Sequence, residues 1–400
     1  MPFAHRVASR TVGGLCLLGG LALVACGGSE DTSLRSSCWT PVVSALPAPA
    51  AAPPWQLVSE VAVPASGRSE FQTVPAGDVV YRLSTAGCMQ IDTLQDERGT
   101  AWVTPPATLS DYDLFCRSCP QRVSLGVRQG LYVLPSSDPI PTAAGSLRMQ
   151  ATLRDCDTLL PRQSSGTVRI ESAVIARPAD SQRGVLRLEL LITPGSIFYD
   201  SADALPPVFD SAVALINTWL APGQLSLQVL RTRRLTADDP LRLSAGDHAA
   251  LERLQQTMHA CDEGGTSPDD TWVPVVLAGC LSVSNRVTGR SSEPEGLTPS
   301  VPNGLPVSGG AHGVYIKGRG CDASSPQIEW TVESLARVLG HELGHYLGVY
   351  HSVELDGSPD ALTDTDADNL MYARPSAIDA PHFTNHQFRV MRQHPAIAWP

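Results

Sequence analysis

Residues 341–351 read His-Glu-Leu-Gly-His-Tyr-Leu-Gly-Val-Tyr-His, an H-E-x-x-H-x-x-G-x-x-H string. On a helix, positions i and i+4 lie one turn apart on the same face, so His341 and His345 can direct two imidazoles at one ion. Glu342 then lies beside the open coordination position, where a carboxylate can act as a general base. The first half of the string therefore predicts two metal ligands and a base on one helix.

The second half of the string turns the chain back towards this pair. Gly348 can adopt the left-handed conformation that ends a helix, and a sharp turn there would return His351 as a third ligand. With 33 glycines and 10 histidines in 400 residues, requiring Gly348 and His351 as well reduces chance matches by a factor of roughly 500. An ordinary helix with histidines in the core is therefore disfavoured, and a three-histidine metal centre is predicted.

A methionine lies downstream of the string. Asn369-Leu370-Met371 follows His351, with Met371 20 residues after it. Together with the histidine string, this pattern resembles the metzincin zinc metallopeptidases, which place a methionine-containing turn under the metal. Two flanking segments resemble the D-T and F-T-x-x-Q elements of pappalysin-like metzincins: Leu362–Thr365 and Phe383–Gln387.

The resemblance implies an α+β catalytic domain over residues 185–400, with a mixed twisted sheet, a zinc-site helix, a Met-turn and a C-terminal helix. Hydrophobic periodicity agrees with it. Strands are predicted at 186–193, 225–230, 271–281 and 313–317, helices at 206–220, 244–260 and 384–393, and a long loop at 291–310. Pro274 lacks an N–H and indicates an edge position or a bulge in its strand.

The implied function is that of a zinc-dependent endopeptidase acting on extracellular or surface proteins and peptides. The expected cofactor is zinc, held by His341, His345 and His351, with Glu342 as general base and then acid. The resemblance also places the segment Gly313-Val314-Tyr315 at the cleft rim, where a peptide would bind by strand addition. An ordinary sheet strand without substrate contact is an equally open interpretation of that segment.

The N-terminus has the features of an export signal. Two arginines precede an apolar stretch, residues 12–24, that is too short to span a membrane. Leu23-Val24-Ala25-Cys26 fits a bacterial lipoprotein cleavage box, so residues 1–25 are predicted as a signal peptide and Cys26 as the lipidated anchor to the membrane. The alternative is a conventional secretory signal. Gly27 favours sorting to the outer membrane or cell surface.

Residues 26–56 are rich in proline and alanine and are predicted as a flexible tether. Over residues 57–160, short apolar segments separated by Gly, Pro and Asp turns predict an all-β sandwich. Residues 161–184 are predicted as the linker to the catalytic domain. An inactive surface lipoprotein that binds a partner through this sandwich is the alternative function. The formal net charge of −11 and the lack of a basic stripe argue against nucleic-acid binding.

Eight cysteines remain after the signal peptide and Cys26 are set aside, and an even number in an exported protein indicates disulfides. Five precede residue 160 and three follow it. Cys156, just ahead of the catalytic domain, has an alternative role as a latency thiolate on the metal. Five aspartates between His351 and Met371 allow either a calcium site or a solvated acidic turn: Asp356, Asp360, Asp364, Asp366 and Asp368.

Overall fold

A computed structural model describes most of the chain after residue 54. The predicted signal peptide with its lipidated Cys26, the tether up to residue 54, and nearly all of the predicted helix at 244–260 lie outside the described residues. The described ranges are 55–104, 119–134, 136, 145–156, 160–174, 182–199, 205–234, 242–244, 272–284, 291–302, 304, 312–321, 328–375 and 379–399. All of these belong to one compact unit.

The first part of the described chain is an antiparallel sheet, here called the β-domain. Its seven strands are β1 (Gln56–Val63), β2 (Gln72–Pro75), β3 (Val79–Asp96), β4 (Ala101–Val103), β5 (Gly126–Leu134), β6 (Ser146–Arg154) and β7 (Gly166–Val174). Strand β3 has 18 residues and changes register after Ser84. Its first half pairs with β5 and β7, and its second half pairs mainly with β6 and β4. One bent strand therefore belongs to both halves of the domain.

Alternation of apolar and polar residues builds the core of the β-domain. In β6, Leu147 and Met149 are buried while Arg148 between them is exposed, as expected for side chains that alternate between faces. Side chains from both halves of β3 meet in the same core, including Leu83 and Ile91. The prediction of an all-β N-terminal domain is confirmed.

The predicted linker at 161–184 is wrong for its central part. Strand β7 pairs antiparallel with β1 on one side and β3 on the other, and it buries Val168 and Ile170 completely. The two buried residues alternate with polar ones, which is a strand pattern. The preceding run of polar and glycine residues obscured it. The β-domain therefore continues to Val174.

The second part of the chain is an α/β domain. Its main sheet contains β8 (Gly184–Ile192), β9 (Leu225–Arg234), β11 (Val273–Ala278), β14 (Gly296–Leu297), β15 (Val314–Lys317) and β16 (Ile397–Ala398). A smaller sheet contains β10 (Arg242–Ser244), β12 (Cys280–Ser284) and β13 (Ser291–Ser292). The helices within the described ranges are α1 (Pro207–Leu220), α2 (Val332–Tyr346) and α3 (Asn385–Met391), with a 3-10 turn at Ala221–Gly223.

Four strands of the main sheet run parallel, in the order β9-β8-β11-β15. Strand β14 is antiparallel to β15 and ends the sheet within the described ranges. Strand β11 is therefore interior, and the predicted edge position or bulge at Pro274 is wrong. Pro274 is the second residue of its strand, opposite Glu189 of β8. At that end of the ladder the lost N–H costs little.

The predicted rim strand at Gly313-Val314-Tyr315 is also interior. Strand β15 pairs with β11 on one side, and on the other Tyr315 lies opposite Leu297 of β14. The expected edge position is therefore wrong for Tyr315, whereas the pairing with β14 does not extend to Val314 or Gly313. Substrate binding by this segment stays a prediction. The rim is β14, a two-residue strand inside the predicted loop 291–310. Two residues are too few to show a period in sequence.

Helix α2 has a well-defined start and a buried face. Thr331 caps it, since its side chain accepts a hydrogen bond from the N–H of Ser334, and the hydroxyl of Ser334 accepts one from the N–H of Thr331. Leu335, Leu339 and Leu343 are buried in the core shared with α1 and the main sheet. Thr384 caps α3 in the same way, which confirms the predicted cap. Helix α2 therefore packs on the main sheet and contacts the rim strand β14.

Two disulfides have both of their cysteines within the described ranges, and each domain contains one of them. Cys88 is bonded to Cys156 in the β-domain, and Cys280 to Cys321 in the α/β domain. The latency role of Cys156 is therefore wrong, because a thiol in a disulfide cannot ligate a metal. The bridges indicate an oxidising environment. None of the helices in the described part of the chain is both long and apolar enough to cross a membrane.

Replacing Cys88 and Cys156 together by alanine should destabilise the protein by about 2–5 kcal/mol, because the bridge closes a long loop in the unfolded chain. Thermal unfolding of the variant beside the wild type measures the loss. An unchanged melting temperature would contradict the pairing.

Candidate metal centre

The three histidines of the string converge at the C-terminal end of α2. His341 and His345 lie on successive turns, with ring centroids 4.6 Å apart. Gly348 has φ +102°, a conformation that other residues rarely adopt, and the chain turns there. The ring of His351 then lies 5.2 Å from that of His341 and 4.7 Å from that of His345. One ring nitrogen from each lies within 4.8 Å of the others, so the group could hold a metal ion.

Each imidazole is fixed through its Nδ1 atom. Nδ1 of His341 lies 2.8 Å from the main-chain oxygen of Leu370, and Nδ1 of His345 lies 2.8 Å from that of Val349. These oxygens only accept hydrogen bonds, so both Nδ1 atoms carry the proton and the Nε2 lone pairs remain for a metal.

The third histidine has a different partner. Nδ1 of His351 lies 2.8 Å from Oε2 of Glu354, so a carboxylate orients this ring. Hydrogen-bonded partners of this kind hold metal-binding histidines in position and raise their basicity. All three ligands therefore present Nε2 to the same point.

Burial keeps the two helical histidines neutral. Burial, together with the neighbouring His351 and against a hydrogen bond with Leu370, lowers the pKa of His341 to about 3. The pKa of His345 is lowered well below its usual value for the same main reason. Metals bind the neutral form of imidazole. These two side chains are therefore ready to bind an ion without first losing a proton.

Glu342 is buried next to the first histidine. Burial raises the pKa of its carboxyl to about 7, and hydrogen bonds with Thr298 act against that shift. Gly296 of the rim strand makes room for it, since a Cβ on this glycine would lie 2.6 Å from Cγ of Glu342. A carboxylate with a pKa in this range is suited to exchange protons near neutral pH.

The side chain of Met371 is fully buried. Its sulfur packs so closely on Gly344 that a Cβ on this glycine would overlap it. The main-chain oxygen of Met371 accepts a hydrogen bond from Ser352 N at 2.9 Å, just after His351. Met371 therefore packs against the helix that carries His341 and His345, and its role as the methionine of a Met-turn stays a prediction.

Asn369 and Gln387 hold the turn around Met371. Their side-chain amides exchange two hydrogen bonds, of 2.8 and 2.9 Å, and both residues are fully buried. Oδ1 of Asn369 also accepts from the N–H of Met371 at 2.8 Å. This network ties α3 to the turn that carries Leu370, the acceptor for His341. The N-x-M and F-T-x-x-Q elements thus meet in space.

Residues 352–360 form a tight hairpin after the third histidine. Glu354 N donates to the oxygen of Ser358 at 2.8 Å, and Asp360 N donates to that of Ser352 at 2.8 Å. Gly357 makes the reversal with φ +87°. This hairpin places the carboxylate of Glu354 within hydrogen-bond distance of His351.

The aspartates after His351 serve separate local contacts. Asp356 accepts from Ser358, Asp360 from Leu362 and Thr365, Asp364 from His386 N, and Asp366 from Asp368 N. Over the described ranges, the three histidines are the one cluster of three or more potential ligands close enough to hold an ion. The structure therefore favours the acidic turn over a calcium site at these positions.

Several residues of the centre were missed by the sequence analysis. Glu354 follows His351 by three residues and could have been found by asking what orients the third ligand. Gly296 and Thr298 lie in a segment without period, and Arg122 of the β-domain, which lies 3.9 Å from Glu354, has no sequence signal.

No family model matches the sequence, and a comparison with curated proteins finds no match. Solved structures resemble it weakly, at 11% identity. A chaperone–substrate complex has a TM-score of 0.31 and matches over 63% of this chain and 39% of its own. A family two carbohydrate esterase from Clostridium thermocellum in complex with cellohexaose has a TM-score of 0.18 and matches over 72% of this chain and 94% of its own. A family two carbohydrate esterase from Cellvibrio japonicus has a TM-score of 0.14 and matches over 58% of this chain and 66% of its own. This chain thus spans about two fifths of the first match, and none of these scores supports an inference about function.

Substituting Gly344 by alanine should destabilise the protein by about 1–3 kcal/mol, because the new methyl group displaces the sulfur of Met371. Gly340, one turn earlier, is the matched control. A Cβ there would meet a methyl group of Leu370 at 3.0 Å, and alanine gains about 1 kcal/mol of helix propensity. Thermal unfolding of both variants decides, and equal stability of the two would contradict the packing described for Met371.

Asp360 should make stability depend on pH. Burial raises the pKa of its carboxyl from 3.8 to about 6, so between these values the folded chain holds a proton that the unfolded chain has lost. Its contribution to the free energy of unfolding therefore falls as the pH rises through this window. Relative to wild type, Asp360→Asn should gain about 2 °C in melting temperature between pH 4 and 7.

The exposed Asp356 of the same hairpin provides the control for this comparison. In a buffer that contains a chelator, the melting temperature of Asp356→Asn should depend on pH as that of the wild type does. If the melting temperature of Asp360→Asn runs parallel to that of the wild type over this pH range, the effect assigned to the burial of Asp360 is contradicted.

Proposed function

We propose that the protein is a zinc-dependent endopeptidase of the metzincin type. The observation that carries the proposal is the convergence of three imidazoles, each with Nε2 available, beside a buried carboxylate. The parallel sheet with one antiparallel rim strand, the histidine helix and the buried Met371 support the same assignment, since they agree with the expected catalytic domain.

The residues present fit zinc. Three imidazole nitrogen ligands, His341, His345 and His351, suit a zinc site in which a fourth position stays open for water or substrate. When bound, zinc supplies acidification of a water molecule and polarisation of the substrate carbonyl. None of these three ligands is a carboxylate or a thiolate, so the positive charge of a bound ion would remain available for that chemistry.

Glu342 is the proton carrier of the proposed reaction. Its carboxylate oxygen takes a proton from the attacking water and passes it to the leaving amine of the cleaved peptide bond. The pKa near 7 in the metal-free centre allows both directions of transfer at neutral pH. Proton transfer and substrate polarisation are thereby divided between the carboxylate and the histidine-held ion.

The rim strand β14 is the proposed binding edge for an extended peptide. No described strand pairs with its outer side, so a substrate could add there through main-chain hydrogen bonds. Gly296 has no side chain between that edge and Glu342, which allows a peptide backbone to approach the carboxylate. Tyr315 of the segment Gly313-Val314-Tyr315 is paired to β14 and so lies one strand further into the sheet.

We further propose that the protein is a cell-envelope lipoprotein anchored through Cys26. The two disulfides agree with export to an oxidising compartment. Protein or peptide substrates outside the cell would then be the targets.

Glu342→Gln should retain zinc and lose at least about 100-fold in peptide cleavage, because the amide cannot accept the proton. Glu333→Gln, which changes an exposed glutamate in the first turn of the same helix, is the control and should keep full activity. Zinc content is measured by elemental analysis, and cleavage by mass spectrometry of a mixed peptide pool.

Two results would contradict the proposed function. If the wild-type protein holds no zinc, the assignment of zinc as the cofactor is contradicted. If Glu342→Gln cleaves peptides as fast as the wild type, the assignment of Glu342 as the base is contradicted. The cut sites in the pool also give the sequence preference of the enzyme.

A further inference from the structure

The β-domain contacts the α/β domain next to the third histidine. Residues 121–125 precede strand β5 without being part of a strand, yet all five are buried. Oγ of Ser124 accepts a hydrogen bond from Val301 N at 3.0 Å. On the same side, the hydroxyl of Tyr350 donates to the oxygen of Val301 at 2.8 Å. This buried segment is therefore docked beside the residue that precedes His351.

Arg122 extends from this segment into the hairpin at 352–360. Its side chain is 2% exposed, and Nη1 lies 3.9 Å from Oε1 of Glu354. Nη2 donates to the main-chain oxygen of Pro359 at 3.1 Å. The guanidinium also lies 5.6 Å from the ring centre of Tyr350, within range of a cation–π interaction. One arginine thus contacts both strands of the hairpin and the residue before His351.

The position of Arg122 is fixed by its own domain. Ser136 Oγ accepts from Arg122 N at 3.0 Å, and it lies 3.1 Å from the oxygen of Arg122. Ser136 N in turn donates to the side chain of Gln121 at 2.7 Å. The arginine is therefore presented by a preformed piece of the β-domain.

The two oxygens of Glu354 connect Arg122 to the metal centre. Oε2 accepts from Nδ1 of His351, while Oε1 faces the guanidinium. This carboxylate is 6% exposed, and the guanidinium is the charged group beside its second oxygen. His341 and His345 have main-chain acceptors, so Glu354 is the side chain on which the orientation of a ligand depends.

We propose that Arg122 is a positioning residue for His351, so that the β-domain is part of the metal centre. The arginine holds the carboxylate of Glu354 in place, and Glu354 keeps Nε2 of His351 directed at the ion. This inference rests on the proposed function only in taking zinc as the ligand. It assigns the β-domain a role in metal binding that is separate from any contact with substrate.

The test measures zinc affinity of the full chain by competition with a chromophoric chelator. Arg122→Met and Glu354→Gln should each weaken binding by about 10- to 100-fold, the usual effect of removing a partner of a metal ligand. Arg122→Lys keeps the charge and should lose less than Arg122→Met. The absorption spectrum of the cobalt-substituted protein reports whether His351 still coordinates.

Arg82→Met is the matched control. Arg82 also pairs with a buried glutamate, Glu171, at 2.7 Å and stacks over an aromatic ring, that of Trp55, at 4.4 Å. It lies in the β-domain but makes these contacts away from the histidines. Zinc affinity of this variant should stay within twofold of wild type.

A double variant separates positioning from simple docking of the domains. If Arg122 acts through Glu354, Arg122→Met with Glu354→Gln should bind zinc no more weakly than the weaker single variant. If the arginine merely docks the domains, the two losses multiply, and the proposal is overturned. Unchanged zinc affinity of Arg122→Met overturns it as well.

Folding defects and failure of the proposed function are distinguishable in this design. If Arg122→Met does not fold, as judged by circular dichroism, Glu354→Gln and Arg122→Lys decide, and wild-type affinity in both overturns the proposal. Zinc-binding wild type that cuts no peptide would refute the peptidase and leave the positioning role tested. Wild type that binds no zinc would refute both.

Discussion

The candidate metal centre depends on three hydrogen bonds from imidazole Nδ1 atoms. Each bond sets the tautomer of one histidine and turns its Nε2 towards a common point. The distances between the rings, 4.6 to 5.2 Å, follow from where the three acceptors lie. Three segments of the α/β domain hold these acceptors in place.

Each acceptor belongs to a different structural element. Val349 follows the glycine turn that ends α2, so its position depends on the backbone freedom of Gly348. Leu370 belongs to the methionine turn, which the paired amides of Asn369 and Gln387 connect to α3. Glu354 belongs to the hairpin, which contacts the β-domain through Arg122. The site thus joins segments from the β-domain and the α/β domain.

The sequence predicted the parts of the centre that depend on local spacing. The i, i+4 histidines, the glycine turn and the methionine all follow from short-range geometry, and the caps at Thr331 and Thr384 are local as well. The histidines come together as expected because a helix leaves few alternatives for residues four positions apart.

The errors have a different physical origin. Strand β14 has two residues and so shows no period, and β15 was assigned to the rim because its pairing partner could not be seen. Strand β7 was taken for a linker because polar and glycine residues lead into it. Arg122 and Pro359 are 237 residues apart, and a contact between such distant positions has no trace in a single sequence. Long-range pairing is therefore what the structure adds.

The kinds of acceptor around the three rings have a consequence for how such a site can change over generations. Two of the rings are oriented by peptide oxygens, which every amino acid possesses, so point substitutions leave those atoms present. The third ring is oriented by a side chain, which a single codon change can remove or exchange. Natural variation in metal avidity among descendants of this chain should therefore concentrate at Glu354 and the residues that touch it.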